Sequence, residues 1–216
     1  NWPSISSHFG VLDTCGFPKD NYWYYRAWWR PREPLVHLLP HWTWPGREGE
    51  PIEVWAHSNC EAVELFVNGR SAGRRPVERN QHVQWSVPYQ PGKLRAVGYV
   101  AGRKAASAER VTAGAAHAVR LDADRGRISG DGRDLSMLRA EIVDRAGTVV
   151  PHGDALGVFG VAGAGRIIGV GNGNPTSLEP DQASQRHAFN GLCQAIVQSS
   201  GAPGSIRINA TSAGLR

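Results

Sequence analysis

Lysine, cysteine and methionine are all scarce in these 216 residues, and each shortage removes a class of explanation. Cys15, Cys60 and Cys193 are odd in number and show no CxxC or His–Cys ligand spacing. They point to buried free thiols rather than a disulfide framework or a zinc site. Lys19, Lys93 and Lys104 are the only lysines, so arginine carries the positive charge. The arginines are scattered, without a run and without an RNP or helix-turn-helix signature. The net charge of +5 therefore reads as a dispersed solvated surface, and no nucleic-acid partner is expected. No apolar run approaches the roughly 18–20 residues of a membrane-spanning helix, so no membrane partner is expected either. A basic-then-apolar leader is missing, and Asn1-Trp2-Pro3 reads as the middle of something longer. No GxSxG elbow supports a nucleophile reading of Ser4, Ser6 or Ser7 beside His8.

Aromatic residues are plentiful but unevenly placed. All eight tryptophans lie at or before Trp85, and after Tyr99 the aromatic residues are Phe159 and Phe189. From about residue 113 the chain turns rich in Gly, Ala and Val, with Thr112-Ala113-Gly114-Ala115-Ala116 as the natural linker. Three regions are expected: 1–32, 33–113 and 114–216.

The segment from Lys19 to Trp29 reads as a helix, with Asp20 in its first turn and Pro31 beyond its end. Aromatic residues surround it, as in a buried helix, yet no partner helices follow. The expectation is that Trp23, Trp28 or Trp29 stays exposed. Everything after it reads as β. Ile52–Ala56 and Val63–Val67 alternate as strands with one buried face, and Asn68-Gly69 suits a type I′ hairpin turn. His82–Val87 and Lys93–Tyr99 follow, with Ala101-Gly102 closing another hairpin. Further on come Val119 with Leu121, Leu138–Val143 running into the turn Asp144–Gly147, Ile167–Val170, Cys193–Val197 and Ser205–Ala210. Short strands at this spacing predict a mainly β fold of two immunoglobulin-like β-sandwiches.

The runs Gly160–Gly165 and Gly169–Pro175 invite comparison with phosphate cradles, but no helix N-terminus follows either, so both read as turns between strands and no cofactor is expected. His37 and His41 have a metal spacing only on a helix, which Pro40 opposes; no metal site is expected. Trp2, Trp42 and Trp44 lie in loop-like contexts, as sugar platforms or as interdomain packing. Packing is the expectation for Trp42 and Trp44, and both readings stand for Trp2.

Several stretches together resemble a known arrangement. Trp2–Gly10, Leu12–Asp20, His37–Trp42, Asn59-Cys60-Glu61, Val63–Gly69, Gly169–Ser177 and Ala188–Gly191 look like the C-terminal third of family 2 β-galactosidases. The resemblance implies a (β/α)8 catalytic barrel followed by β-sandwiches, with 1–32 as a remnant of a truncated barrel. It places Trp2, His8 and Asp13 as substrate-binding residues, because barrel active sites sit at the C-terminal ends of the strands. The implied partner of the parent is a β-galactoside or related carbohydrate, with self-association of the parent into a homo-oligomer. The family's two catalytic glutamates lie on earlier strands, one after an Asn. No Asn-Glu dipeptide occurs here and no Glu precedes Glu33, so no catalytic residue is carried over. The chain alone is expected to be inactive. The compartment expected for this bacterial-type protein is periplasmic or extracellular rather than cytoplasmic. The alternative is a non-catalytic carbohydrate-binding or adhesion module of tandem sandwiches.

Overall fold

The computed structural model describes residues 4–7 and 9–216, which form two compact units. One is Pro18–Thr112; the other joins the segment up to Phe17 with Ala113–Arg216.

The first unit opens with helix α1 (Asp20–Trp29). Asp20 in its first turn complements the helix dipole. At the other end Glu33 pairs with Arg26 at 3.6 Å and Arg30 at 3.0 Å, while Asn59 donates to the Glu33 carbonyl at 2.8 Å. Seven strands follow: β1 (Val36–Leu39), β2 (Pro51–Ser58), β3 (Ala62–Val67), β4 (Arg70–Pro76), β5 (Val83–Pro88), β6 (Lys93–Val100) and β7 (Arg103–Val111). They make two antiparallel sheets, β1-β2-β5 and β4-β3-β6-β7. The alternation read from the sequence does the work expected of it: Ile52, Val54 and Ala56 face inward from β2, Val63 and Leu65 from β3, and Val83, Trp85 and Val87 from β5. Asn68 and Gly69 have φ of 48° and 82°, and Ala101 and Gly102 have 49° and 74°, the positive pairs that type I′ hairpins need. Trp42 is buried in this core and satisfies its indole by donating to the Gln90 carbonyl at 3.0 Å; Trp44 packs beside it and donates to the His41 carbonyl. Both rings are packing residues. Strand β4 carries no apolar alternation; as an edge strand it pairs with β3, and the Trp85 indole donates to its Gly73 carbonyl at 3.1 Å.

The second unit holds β8 (Ala118–Ala123), β9 (Leu135–Val143), β10 (Leu156–Gly163), β11 (Gly165–Gly171), β12 (Gln185–His187), β13 (Leu192–Ser199) and β14 (Ile206–Thr211). Its antiparallel sheets are β11-β13-β9-β8 and β12-β10-β14, with Leu138, Phe159, Val170, Cys193 and Val197 in the core. One expectation needs correcting here. Gly160–Gly163 is not a turn but the end of β10, and the turn is confined to Ala164 between β10 and β11. The glycine has a packing reason: Gly160 pairs with Asn209, whose Oδ1 lies 2.4 Å from where a Cβ would stand. Both units are mainly β, and α1 is the one α-helix among the described residues.

Candidate functional site

In the second unit the N-terminal segment is pinned onto the Gly171–Pro175 loop, and Asp13 organises that attachment. Its Oδ1 accepts the Cys15 and Phe17 amides at 2.8 and 2.9 Å, and its own amide donates to the Phe17 carbonyl at 3.0 Å. This is Asx-turn chemistry, completed by Gly16 at φ 81°. The other carboxylate oxygen lies against Gly173, where a Cβ would meet it at 2.0 Å. Cys15 contributes twice: its carbonyl accepts from Gln194 Nε2 at 3.0 Å, and its sulfur covers Gly171. Upstream, the Ile5 amide donates to the Pro175 carbonyl at 2.6 Å.

The facing loop is held from behind by side chains. Asn172 Nδ2 donates to the His187 carbonyl at 2.9 Å, and Asn174 Oδ1 accepts from the Thr176 amide and hydroxyl. Arg186 is buried at 3% exposure. Its Nη1 donates to the Glu179 carbonyl at 2.8 Å and to Asp181 Oδ1 at 3.2 Å, while its Nε has no hydrogen-bond partner. Glu179 also accepts from His187 Nδ1 at 2.8 Å. Burial pushes the Glu179 carboxyl upward, but the His187 bonds and the Arg186 charge outweigh it and hold the group below its usual range.

These groups hold a loop in place. Glycoside hydrolysis needs one carboxyl kept protonated by a raised pKa beside a second, ionised one. Among the described residues every carboxylate that departs clearly from its ordinary range departs downward: Asp20, Glu64, Asp124, Asp131, Asp134, Asp144 and Glu179. Two of the thiols are held in the protonated form. Burial, aided by Asp13, pushes Cys15 up to about 11, and burial pushes Cys193 up to about 12. No group of three or more metal-ligating side chains is gathered among the described residues.

Of the residues expected near sugar, Asp13 lies in this attachment, whereas Trp2 and His8 lie outside the described residues. Sequence reasoning missed Arg186, Glu179 and His187. One signal was available: Asn190-Gly191 leads into β13, with φ of 53° and 79°, and is the same hairpin dipeptide recognised at Asn68-Gly69.

In the first unit the notable face belongs to α1. Trp29 is 76% exposed and Tyr25 41% exposed, with ring centroids 5.0 Å apart and tilted by 44°. The opposite face meets a row of rings: Trp23 stacks on His37 at 5.1 Å, and His37 lies parallel to His57 at 6.3 Å. Tyr24 meets His57 edge-on, and its hydroxyl donates to the Asn80 carbonyl at 2.9 Å. His57 is buried, with Nδ1 unpartnered; burial and the neighbouring His37 bring its pKa down to about 4.

Comparison with known proteins finds relatives over the whole chain. Residues 119–216 match the glycoside hydrolase family 2 C-terminal domain 5, and residues 49–106 match a domain of unknown function, DUF4982. A β-galactosidase of Bacteroides ovatus is 43% identical over 218 residues, covering 100% of this chain and 25% of that protein. A putative β-glucuronidase of Formosa agariphila is 35% identical over 77% of this chain and 16% of its own length. The crystal structure of a β-glycosidase from Bacteroides vulgatus superposes with a TM-score of 0.96 at 36% identity, covering 100% of this chain and 28% of that one. The chain thus spans about a quarter of the length of the β-galactosidase it matches. Residues 119–216 are thus similar to a C-terminal domain of glycoside hydrolase family 2, and the whole chain is similar to part of larger β-glycosidases.

Proposed function

We propose that this chain is the C-terminal supporting portion of a retaining β-galactosidase-type glycoside hydrolase. In the whole protein, α1 closes the (β/α)8 barrel, and the two sandwiches buttress the barrel and shape the sugar cleft. The observation that carries this reading is Trp29, a large indole left 76% exposed beside Tyr25 on a helix whose other side is packed. Exposing such area is costly, at about 25 cal/mol per Å² of apolar surface, so the face is built to be covered. The greater length of the relatives supports a partner in the same polypeptide, which in this reading is a family 2 barrel upstream. Asp13, with Trp2 and His8 on the same segment, stands at the sugar-facing rim in this reading.

The hydrolytic step belongs to that barrel. Two carboxylates about 5–5.5 Å apart act as nucleophile and acid/base, forming and then hydrolysing a glycosyl-enzyme intermediate. The residues here hold loops and strands in place and carry no proton to the substrate. A free-standing carbohydrate-binding module is the weaker reading. Such a module presents coplanar aromatic residues on a sandwich face, whereas the exposed aromatic residues among the described residues, Phe9, Tyr25 and Trp29, lie on a loop and a helix.

The test is hydrolysis of chromogenic β-galactoside and β-glucuronide by the purified 216-residue chain across pH 4–9. The expected result is no turnover above buffer. Turnover that co-purifies with the chain overturns the reading.

A further inference from the structure

The outer face of the β4-β3-β6-β7 sheet carries a shallow cavity of about 290 Å³ that has no part in the reading above. Phe66 and Val97 lie among its lining residues, with Lys93, Arg95, Lys104 and Glu109 around them. The strand register brings these together: Phe66 pairs with Arg95, Arg95 with Glu109, and Val97 with Glu64. Two of the three lysines in the chain therefore meet in one place, although the sequence separates them by ten residues.

The local charge balance favours an anion. Glu109 is shared between Lys93 at 3.2 Å and Arg95 at 3.6 Å. Glu64 is occupied by the Ser71 hydroxyl at 2.7 Å and the Tyr99 hydroxyl at 2.9 Å, and Arg74 stacks over the Tyr99 ring at 3.9 Å. Lys104 forms no direct ion pair among the described residues, although its charge reaches Glu64. Four cations, Arg74, Lys93, Arg95 and Lys104, thus face two carboxylates, Glu64 and Glu109. A half-buried phenyl ring among these cations suits the apolar face of one sugar ring that bears a negative group.

We propose that this face binds an anionic saccharide, a glycan bearing carboxylate or sulfate groups. A saccharide is favoured over a nucleic acid because the cavity is confined to one ring-sized hollow, without the basic stripe that tracks a phosphate backbone. The proposal stands independently of the barrel assignment.

The test is calorimetric titration of the 216-residue chain at low salt with tetragalacturonate, a chondroitin sulfate tetrasaccharide, neutral cellotetraose and a short DNA duplex. Binding of either acidic glycan, at least tenfold tighter than cellotetraose, is expected, and which one binds tells carboxylate from sulfate. Lys104→Gln should weaken that binding at least fivefold, whereas Arg145→Gln, removing an exposed charge elsewhere, should leave it within twofold. Phe66→Leu, checked for folding by circular dichroism, should also weaken it. Failure of both acidic glycans to bind overturns the proposal. So does equal loss in Lys104→Gln and Arg145→Gln, or duplex binding as tight as the glycans that Phe66→Leu leaves unchanged.

Discussion

His37 Nε2 donates to Asp20 Oδ1 at 2.7 Å, which ties the first turn of α1 to β1. Burial keeps the His37 pKa low, against the pull of Asp20, so the ring is neutral at pH 7 and its Nδ1 is free to accept from Arg110 Nη2 at 3.5 Å. Asp20→Asn weakens a charge-assisted bond, and the predicted loss is about 1 kcal/mol, read as a lower urea midpoint. An unchanged midpoint would show that the helix is held without it.

His57 sets an acid limit on stability. The folded protein keeps it neutral down to about pH 4, whereas the unfolded chain binds a proton near pH 6.5. Acidification therefore favours the unfolded state: the contribution is complete above pH 6.5 and is lost progressively as pH falls towards 4. His37, His82 and Asp20 are the titratable groups acting on this ring. His57→Phe keeps the ring contacts and removes the unpartnered Nδ1. Melting temperature plotted against pH should fall less steeply between 6.5 and 4 in this variant; an identical slope would rule His57 out as the cause.

Gly173 has φ 71°, and a Cβ there would run into the Asp13 carboxylate. Gly173→Ala is predicted to cost about 1–3 kcal/mol through strain and displacement of that carboxylate. Limited proteolysis should then cut the chain before Phe17 faster than in the parent. Because the two residues touch, adding Asp13→Ala should cost less than the sum of the single changes; strict additivity would contradict the contact.

Arg186→Met leaves Glu179 without its buried cation. The predicted cost is about 2 kcal/mol, below that of a fully buried pair because the Glu179 side chain is 30% exposed. Equilibrium unfolding checks it, and a loss under a few tenths of that figure would mean the loop is held by its backbone alone.

The sandwich strands were legible where one face is buried, because alternation at Ile52–Ala56, Val63–Val67 and Leu138–Val143 records which side meets the core. It failed at β4, where the edge position makes side-chain pattern irrelevant, and at Gly160–Gly163, where glycine serves strand packing instead of a turn. The attachment of Asp13 to Gly173 joins residues far apart in sequence, and nothing local foretells it. The cavity beside Phe66 was hidden for a related reason: charge that is scattered along the chain becomes concentrated only once β3, β6 and β7 pair.

Whether the aromatic face of α1 is made to be covered can be measured by hydroxyl-radical footprinting of Trp29, with mass spectrometry on the 216-residue chain and on the longer protein proposed to carry it. The account predicts strong oxidation of Trp29 in the 216-residue chain and at least tenfold protection in the longer protein. Equal oxidation in both would contradict it.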